Sequence, residues 1–135
     1  MRRLVVFIAA MLLAAPANAE PQPIEGNWKT GDGKAIIRIA PCGAAMCGRI
    51  VELLTPGPPG GARDTRNPDE SQRSRGLLGL RVFWNLAPDG NRFAGKGYSP
   101  ERGRHFDAQV WRDGDRLRVK GCVSVICQTQ VLTRV

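Results

Sequence analysis

The sequence predicts an all-β protein, an eight-stranded antiparallel up-and-down barrel. Three observations carry that expectation. Apolar residues alternate with polar ones over eight runs of seven to nine residues. Asp-Gly, the strongest short hairpin signal because both positions tolerate positive φ, separates such runs three times. The 16 glycines and 10 prolines spread over 135 residues leave no stretch suited to a long helix. Eight strands joined by tight turns lose their exposed edges most simply by curling into a barrel.

The strands follow in order. Ile24 to Thr30 is turned by Asp32-Gly33 into Lys34 to Pro41, where Ala35, Ile37 and Ile39 alternate with Lys34 and Arg38. Cys47 to Leu54 is third, and two facings are open for it: Arg49 inward with Val51 and Leu53, or Glu52 inward with Ile50 and Leu54. Leu80 to Ala87 runs into Pro88-Asp89-Gly90, Arg92 to Ser99 into Pro100-Glu101-Arg102-Gly103, and Arg104 to Arg112 into Asp113-Gly114. Arg116 to Cys122 alternates most cleanly, and Cys127 to Arg134 is last. Between the third and fourth strands, Thr55 to Ala62 is a Pro/Gly-rich exposed loop. Asn67 to Gly76 then carries helix signals: a capping Asn67, Pro68 at the first position, early acids, late arginines and a terminal glycine. A two-turn helix is too short to stand alone, so it docks on the barrel rim as a lid or as a packed crossover.

Residues 1–19 read as an export signal. Met1-Arg2-Arg3 is basic, Leu4 to Leu13 is apolar, and Ala17-Asn18-Ala19 suits signal peptidase. The apolar run is shorter than the roughly 20 residues of a spanning helix. Residues 20–135 are then one domain in the periplasm. There Cys42, Cys47, Cys122 and Cys127 are expected in disulfides rather than around zinc. Three pairings are possible, and the favoured one closes each hairpin on itself, Cys42–Cys47 and Cys122–Cys127.

The charge is +8, from 20 Lys/Arg against 12 Asp/Glu. Export argues against a nucleic acid and for anionic envelope components as the partners of such a surface. No phosphate loop, nucleophile elbow or His-Glu-x-x-His is present, so no enzyme, metal or cofactor is expected. The single histidine, His105, shares a strand face with Asp107 but has no nucleophile or metal beside it in sequence. Trp28, Trp84, Tyr98, Phe106 and Trp111 either line a pocket or fill the barrel.

Gly26-Asn27-Trp28 resembles the Gly-x-Trp start of lipocalins, in which the tryptophan plugs the closed end of the barrel. The wider pattern adds Ile39-Ala40-Pro41-Cys42-Gly43, Cys47-Gly48-Arg49-Ile50-Val51, Asn67-Pro68-Asp69, Leu77-Leu78-Gly79-Leu80, Val119-Lys120-Gly121-Cys122 and Cys127-Gln128-Thr129-Gln130. Together these are similar to the bacterial exported family catalogued as domain of unknown function 2147. Gly76 and Arg81 depart from its pattern. The resemblance implies a lipocalin-like barrel and no established activity. The resulting expectation is a non-enzymatic binding protein for a small apolar or amphipathic ligand. The candidate lumen residues are Trp28, Ile37, Ile39, Val51, Tyr98, Leu117 and Val119, with Arg49 near an acidic head group. The alternative is an interaction module that uses its basic outer face and rim loops.

Overall fold

The computed structural model describes residues 9–11 and 20–135, so the predicted export segment falls almost entirely outside the described residues. Eight antiparallel strands close into a barrel in chain order. They are β1 (Gly26–Lys29), β2 (Ala35–Cys42), β3 (Ala45–Leu53), β4 (Arg81–Asp89), β5 (Arg92–Ser99), β6 (Arg104–Asp113), β7 (Arg116–Val123) and β8 (Ile126–Arg134). Every predicted strand forms, with boundaries within two residues of those expected.

The two ends of the barrel differ because β1 contributes only four residues to the seam. It meets β8 at Trp28↔Arg134 and Lys29↔Thr133, and Gly31 still abuts Val131, which leaves residues 126–130 of β8 without a partner strand on that side. At this sealed end Trp28 is fully buried with Ile24, Ile39, Leu86, Val110, Leu117 and Leu132. Its indole N–H donates to the Ile24 carbonyl at 2.9 Å, and the Arg134 guanidinium lies 5.5 Å from the ring centroid. The polar edge of the largest side chain in the core is thereby satisfied, and its face is capped by a cation.

The buried inward-facing residues are apolar and the outer face carries Arg38, Arg49, Lys96 and Asp107, the reverse of a lipid-embedded barrel. Among the described residues no helix is long and apolar enough to cross a membrane. On β3 neither simple alternation holds. The register shifts so that Ile36 pairs with Glu52 but Ile37 pairs with Ile50, leaving Val51 as the extra residue of a bulge. Gly48 and Ile50 face inward before the bulge, and Leu53 lines the interior after it. Arg49, Val51 and Glu52 are all exposed, so the expected lumen positions of Arg49 and Val51 are wrong. The bulge keeps both charges of the strand in water, where desolvation costs nothing.

The disulfides are Cys42–Cys47 and Cys122–Cys127, each closing its own hairpin. The first staples the sealed end; the second staples the β7–β8 turn at the opposite end. Residues 54–80 form a strap from β3 to β4. Its predicted two-turn helix shrinks to a 3₁₀ turn, Glu70–Gln72, capped by Asp69 rather than Asn67. The capping signals were drawn elsewhere: Asn67 Oδ1 accepts from the Asp69 amide and its Nδ2 donates to Asp64, while Arg73 donates to the Asn67 carbonyl.

Truncating the plug tests this assignment. Trp28→Ala removes a fully buried ring and strands the Ile24 carbonyl, a change expected to cost about 3–5 kcal/mol in denaturant unfolding. A loss under about 1 kcal/mol would mean that the sealed end is not a packed core.

Candidate functional site

The other end of the barrel holds a cavity of about 650 Å³, within the size range of small-molecule sites. Its walls include Ile37 of β2, Ile50 and Leu53 of β3, Phe83 of β4, Phe106 of β6 and Val119 of β7. Phe83 and Phe106 meet edge to face at 6.2 Å between ring centroids. Glycine gives these rings their room. A Cβ at Gly48 would press on Phe83, and a Cβ at Gly97 or Gly121 would press on Phe106. Gln128 and Gln130 of β8 supply a polar strip, opposite Gly121 and Val119 in the register. Both glutamines are solvent-exposed, as expected for a lumen that is open along the unpaired part of β8.

The rim is cationic. Lys34, Arg63, Arg66, Arg102 and Arg104 border the cavity with only Asp32 and Glu101 as carboxylates. Lys34 pairs with Glu101 at 3.0 Å, and Asp32 accepts from Thr30 and the Lys34 amide. Burial acts to raise the Asp32 pKa, but these bonds and the Lys34 charge outweigh it and hold the carboxyl below its ordinary range. Arg63 and Arg66 donate to the carbonyls of Ser74 and Glu101. Among the described residues Arg102 and Arg104 form no ion pair. Arg104 alternates with Phe106, Ala108 and Val110 on β6, so it stands on the lumen side at the mouth.

The strap crosses this end and is locked by one buried carboxylate. Asp64 accepts from Tyr98 Oη at 2.6 Å, Asn67 Nδ2 at 2.8 Å and Arg75 Nε at 2.9 Å. Burial acts to raise the Asp64 pKa, but the three donors and the Arg75 charge overcome it and hold the carboxyl below its usual range. Burial and the bond to Asp64 push the Tyr98 phenol up to about 12. The strap is also fastened to the β5–β6 turn at Gly103, where any Cβ would collide with the Arg66 carbonyl.

The predicted site residues divide into three groups. Ile37 and Val119 line the cavity, whereas Tyr98, which follows the inward Gly97 and pairs with His105, turns its ring to the outer face beneath the strap, so its expected lumen position is wrong and its hydroxyl is committed to Asp64. Trp28, Ile39 and Leu117 lie in the sealed-end core and do not line the cavity. Arg49 and Val51 face outward. Of the remaining aromatics, Trp84 and Trp111 sit outside beneath Arg81 and Arg92, and only Phe106 reaches the lumen. His105 packs its ring 4.8 Å from that of Tyr98, while Asp107 pairs with Lys96. No group of three or more His, Cys, Asp or Glu among the described residues is placed to hold a metal ion.

Sequence reasoning missed Gln128, Gln130, Arg104 and Asp64. The Cys122–Cys127 pairing would have given the first two, since it sets Gln128 opposite Gly121. Extending the β6 alternation back from Val110 would have given Arg104. Nothing local marks Asp64, whose partner Tyr98 is 34 residues away.

Residues 26–134 match a family described as an uncharacterized protein conserved in bacteria, DUF2147. No curated protein matches the chain. Among solved structures the chain is similar to protein HP1028 from the human pathogen Helicobacter pylori, which belongs to the lipocalin family. The TM-score is 0.73 at 15% identity, over 84% of this chain and 83% of that one. At that identity the likeness concerns the fold alone.

The strap lock has a direct optical readout, because the sequence contains one tyrosine. Alkaline titration of tyrosinate absorbance is expected to place Tyr98 near 12, and Asp64→Asn to bring it toward the ordinary value of about 10. A phenol kept neutral in the folded state stabilises it fully below about pH 10 and loses that contribution as the pH rises to its folded pKa. Unfolding in alkali should therefore begin within that window. Titration of the wild-type phenol near 10 would contradict the Asp64–Tyr98 bond.

Proposed function

The chain belongs to DUF2147, a family of uncharacterized bacterial proteins, and from that premise we propose that it is a non-enzymatic carrier in the periplasm for one amphipathic, anionic small molecule. The supporting observation is the polarity of the cavity, an apolar lumen under a mouth where, among the described residues, Arg102 and Arg104 have no ion-pair partner. A ligand's tail lies among Ile37, Ile50, Leu53, Phe83, Phe106 and Val119, gaining about 0.8 kcal/mol per buried methylene. Its acidic head meets Arg104 and Arg102, and Gln128 and Gln130 satisfy any polar group along the chain. The export signal and the two hairpin disulfides support the compartment, since disulfides persist in oxidising surroundings.

Titration with a matched pair of amphiphiles tests the proposal. Hexadecanoate is expected to bind and hexadecyltrimethylammonium to bind much more weakly. Arg104→Ala should weaken the anion about tenfold by removing one charge-assisted contact. Val119→Trp, which fills the lumen, should abolish binding of both. Equal affinity for the two head groups, or binding undiminished by Val119→Trp, would contradict a luminal anion site.

A second reading, an envelope interaction module, draws on the outer face. Arg38 pairs with Arg49 across β2–β3, and Arg49 pairs with Arg81 across β3–β4. Like charges directly opposite one another cost stability, so the row favours a polyanion laid across three strands. Binding of a sulfated polysaccharide that falls steeply with salt and is lost in Arg38→Ala/Arg49→Ala would support this alternative. Luminal binding, carried mainly by burial of the tail, should fall far less with salt.

A further inference from the structure

The β7–β8 hairpin ends in a tip that turn chemistry does not explain. Val123 pairs with Ile126, so Ser124 and Val125 form a two-residue turn, with Ser124 at φ 57°. Such turns ordinarily take Asn, Asp or Gly, which hydrate readily and accept positive φ. Here Val125 is 90% exposed, Ile126 72% and Val123 40%. Three exposed apolar side chains are thus gathered at one projecting tip, one residue beyond the Cys122–Cys127 bridge that stiffens it.

The position of the tip matters as much as its composition. Val123 and Ile126 border the cavity mouth together with Arg102, Arg104, Arg66 and Lys34. The two carboxylates of that rim are engaged, Glu101 by Lys34 and Asp32 by Thr30 and the Lys34 amide. An apolar prong set in a cationic ring matches a surface with anionic groups outside and hydrocarbon just beneath.

We infer that the mouth of the barrel docks on an anionic lipid bilayer, with Val125 and Ile126 entering the acyl boundary and Arg102 and Arg104 facing lipid phosphates. The unpaired stretch of β8 beside the tip then opens the lumen toward the bilayer, so an amphiphile passes from membrane to cavity without crossing water. That last step rests on the luminal carrier proposed above; the docking does not, and it is measured without any ligand.

Flotation of the disulfide-bonded protein with phosphatidylglycerol/phosphatidylethanolamine vesicles, and with phosphatidylcholine vesicles, tests it. The protein is expected to float with the anionic vesicles and to release as salt rises. Val125→Asp should lower that binding about tenfold and Val125→Trp should raise it, since aspartate is costly and tryptophan favoured at a membrane interface. Val125 does not line the cavity, so hexadecanoate titration in vesicle-free buffer should be unchanged by either variant. Wild type and Val125→Asp floating equally, or neither floating, would overturn the docking surface. So would a wild type that stays with the buffer but sediments as a dimer dissolved by Val125→Asp, because the tip would then serve self-association. Vesicle binding without any hexadecanoate binding would leave the docking intact and sink the carrier.

Discussion

Trp28 is buried where β1 meets β8, with its indole N–H on the Ile24 carbonyl and Arg134 across its ring. Because β1 ends at Lys29, this is also where the seam stops. The side chains that cluster around Trp28 fill this end of the barrel as a close-packed core. Past the close approach of Gly31 to Val131, residues 126–130 of the last strand have no partner strand on this side, and the lumen stays open. Sealed core and open cavity are therefore two consequences of one short strand, and the ligand chemistry proposed for the molecule depends on both.

The strap adds a second constraint at the open end. A buried carboxylate is costly unless paired and fully hydrogen-bonded, and Asp64 is both. Its three donors come from the strap itself and from β5, so the interaction fixes the strap to the barrel as well as satisfying a charge. The carboxyl is held below its ordinary range, so the network is complete at neutral pH and is lost as acid protonates Asp64 or as alkali ionises Tyr98. Arg66, held against Gly103 and the Glu101 carbonyl, is positioned at the rim by the same strap. A strap anchored this way is a fixed wall of the mouth rather than a free lid.

Strand order and closure were legible in the sequence because a period of two and three Asp-Gly turns are local signals. The pairing of the cysteines was legible for the same reason, since each bridge spans one hairpin. Register was not. The Val51 bulge rotates Arg49 and Val51 to the outside, and alternation cannot reveal an inserted residue whose partner strand is unknown. Asn67 to Gly76 carried genuine capping chemistry, but Asn67 and Arg75 are drawn to Asp64 by tertiary hydrogen bonds that outweigh a weak local preference. The cavity was half legible: Ile37 and Val119 were read from their strands, whereas Gln128, Gln130 and Arg104 needed the register of the closed barrel.

An apolar lumen beneath a cationic mouth, held open by a short first strand, calls for an occupant. Native mass spectrometry of the protein purified from an oxidising compartment, repeated after denaturation, asks for it directly. An occupied lumen predicts an adduct that survives gentle ionisation, disappears on unfolding, and has the mass of an acidic amphiphile. A bare mass in both spectra, with hexadecanoate failing to add to the native protein, would contradict the luminal carrier and leave the arginine row of the outer face as the working surface.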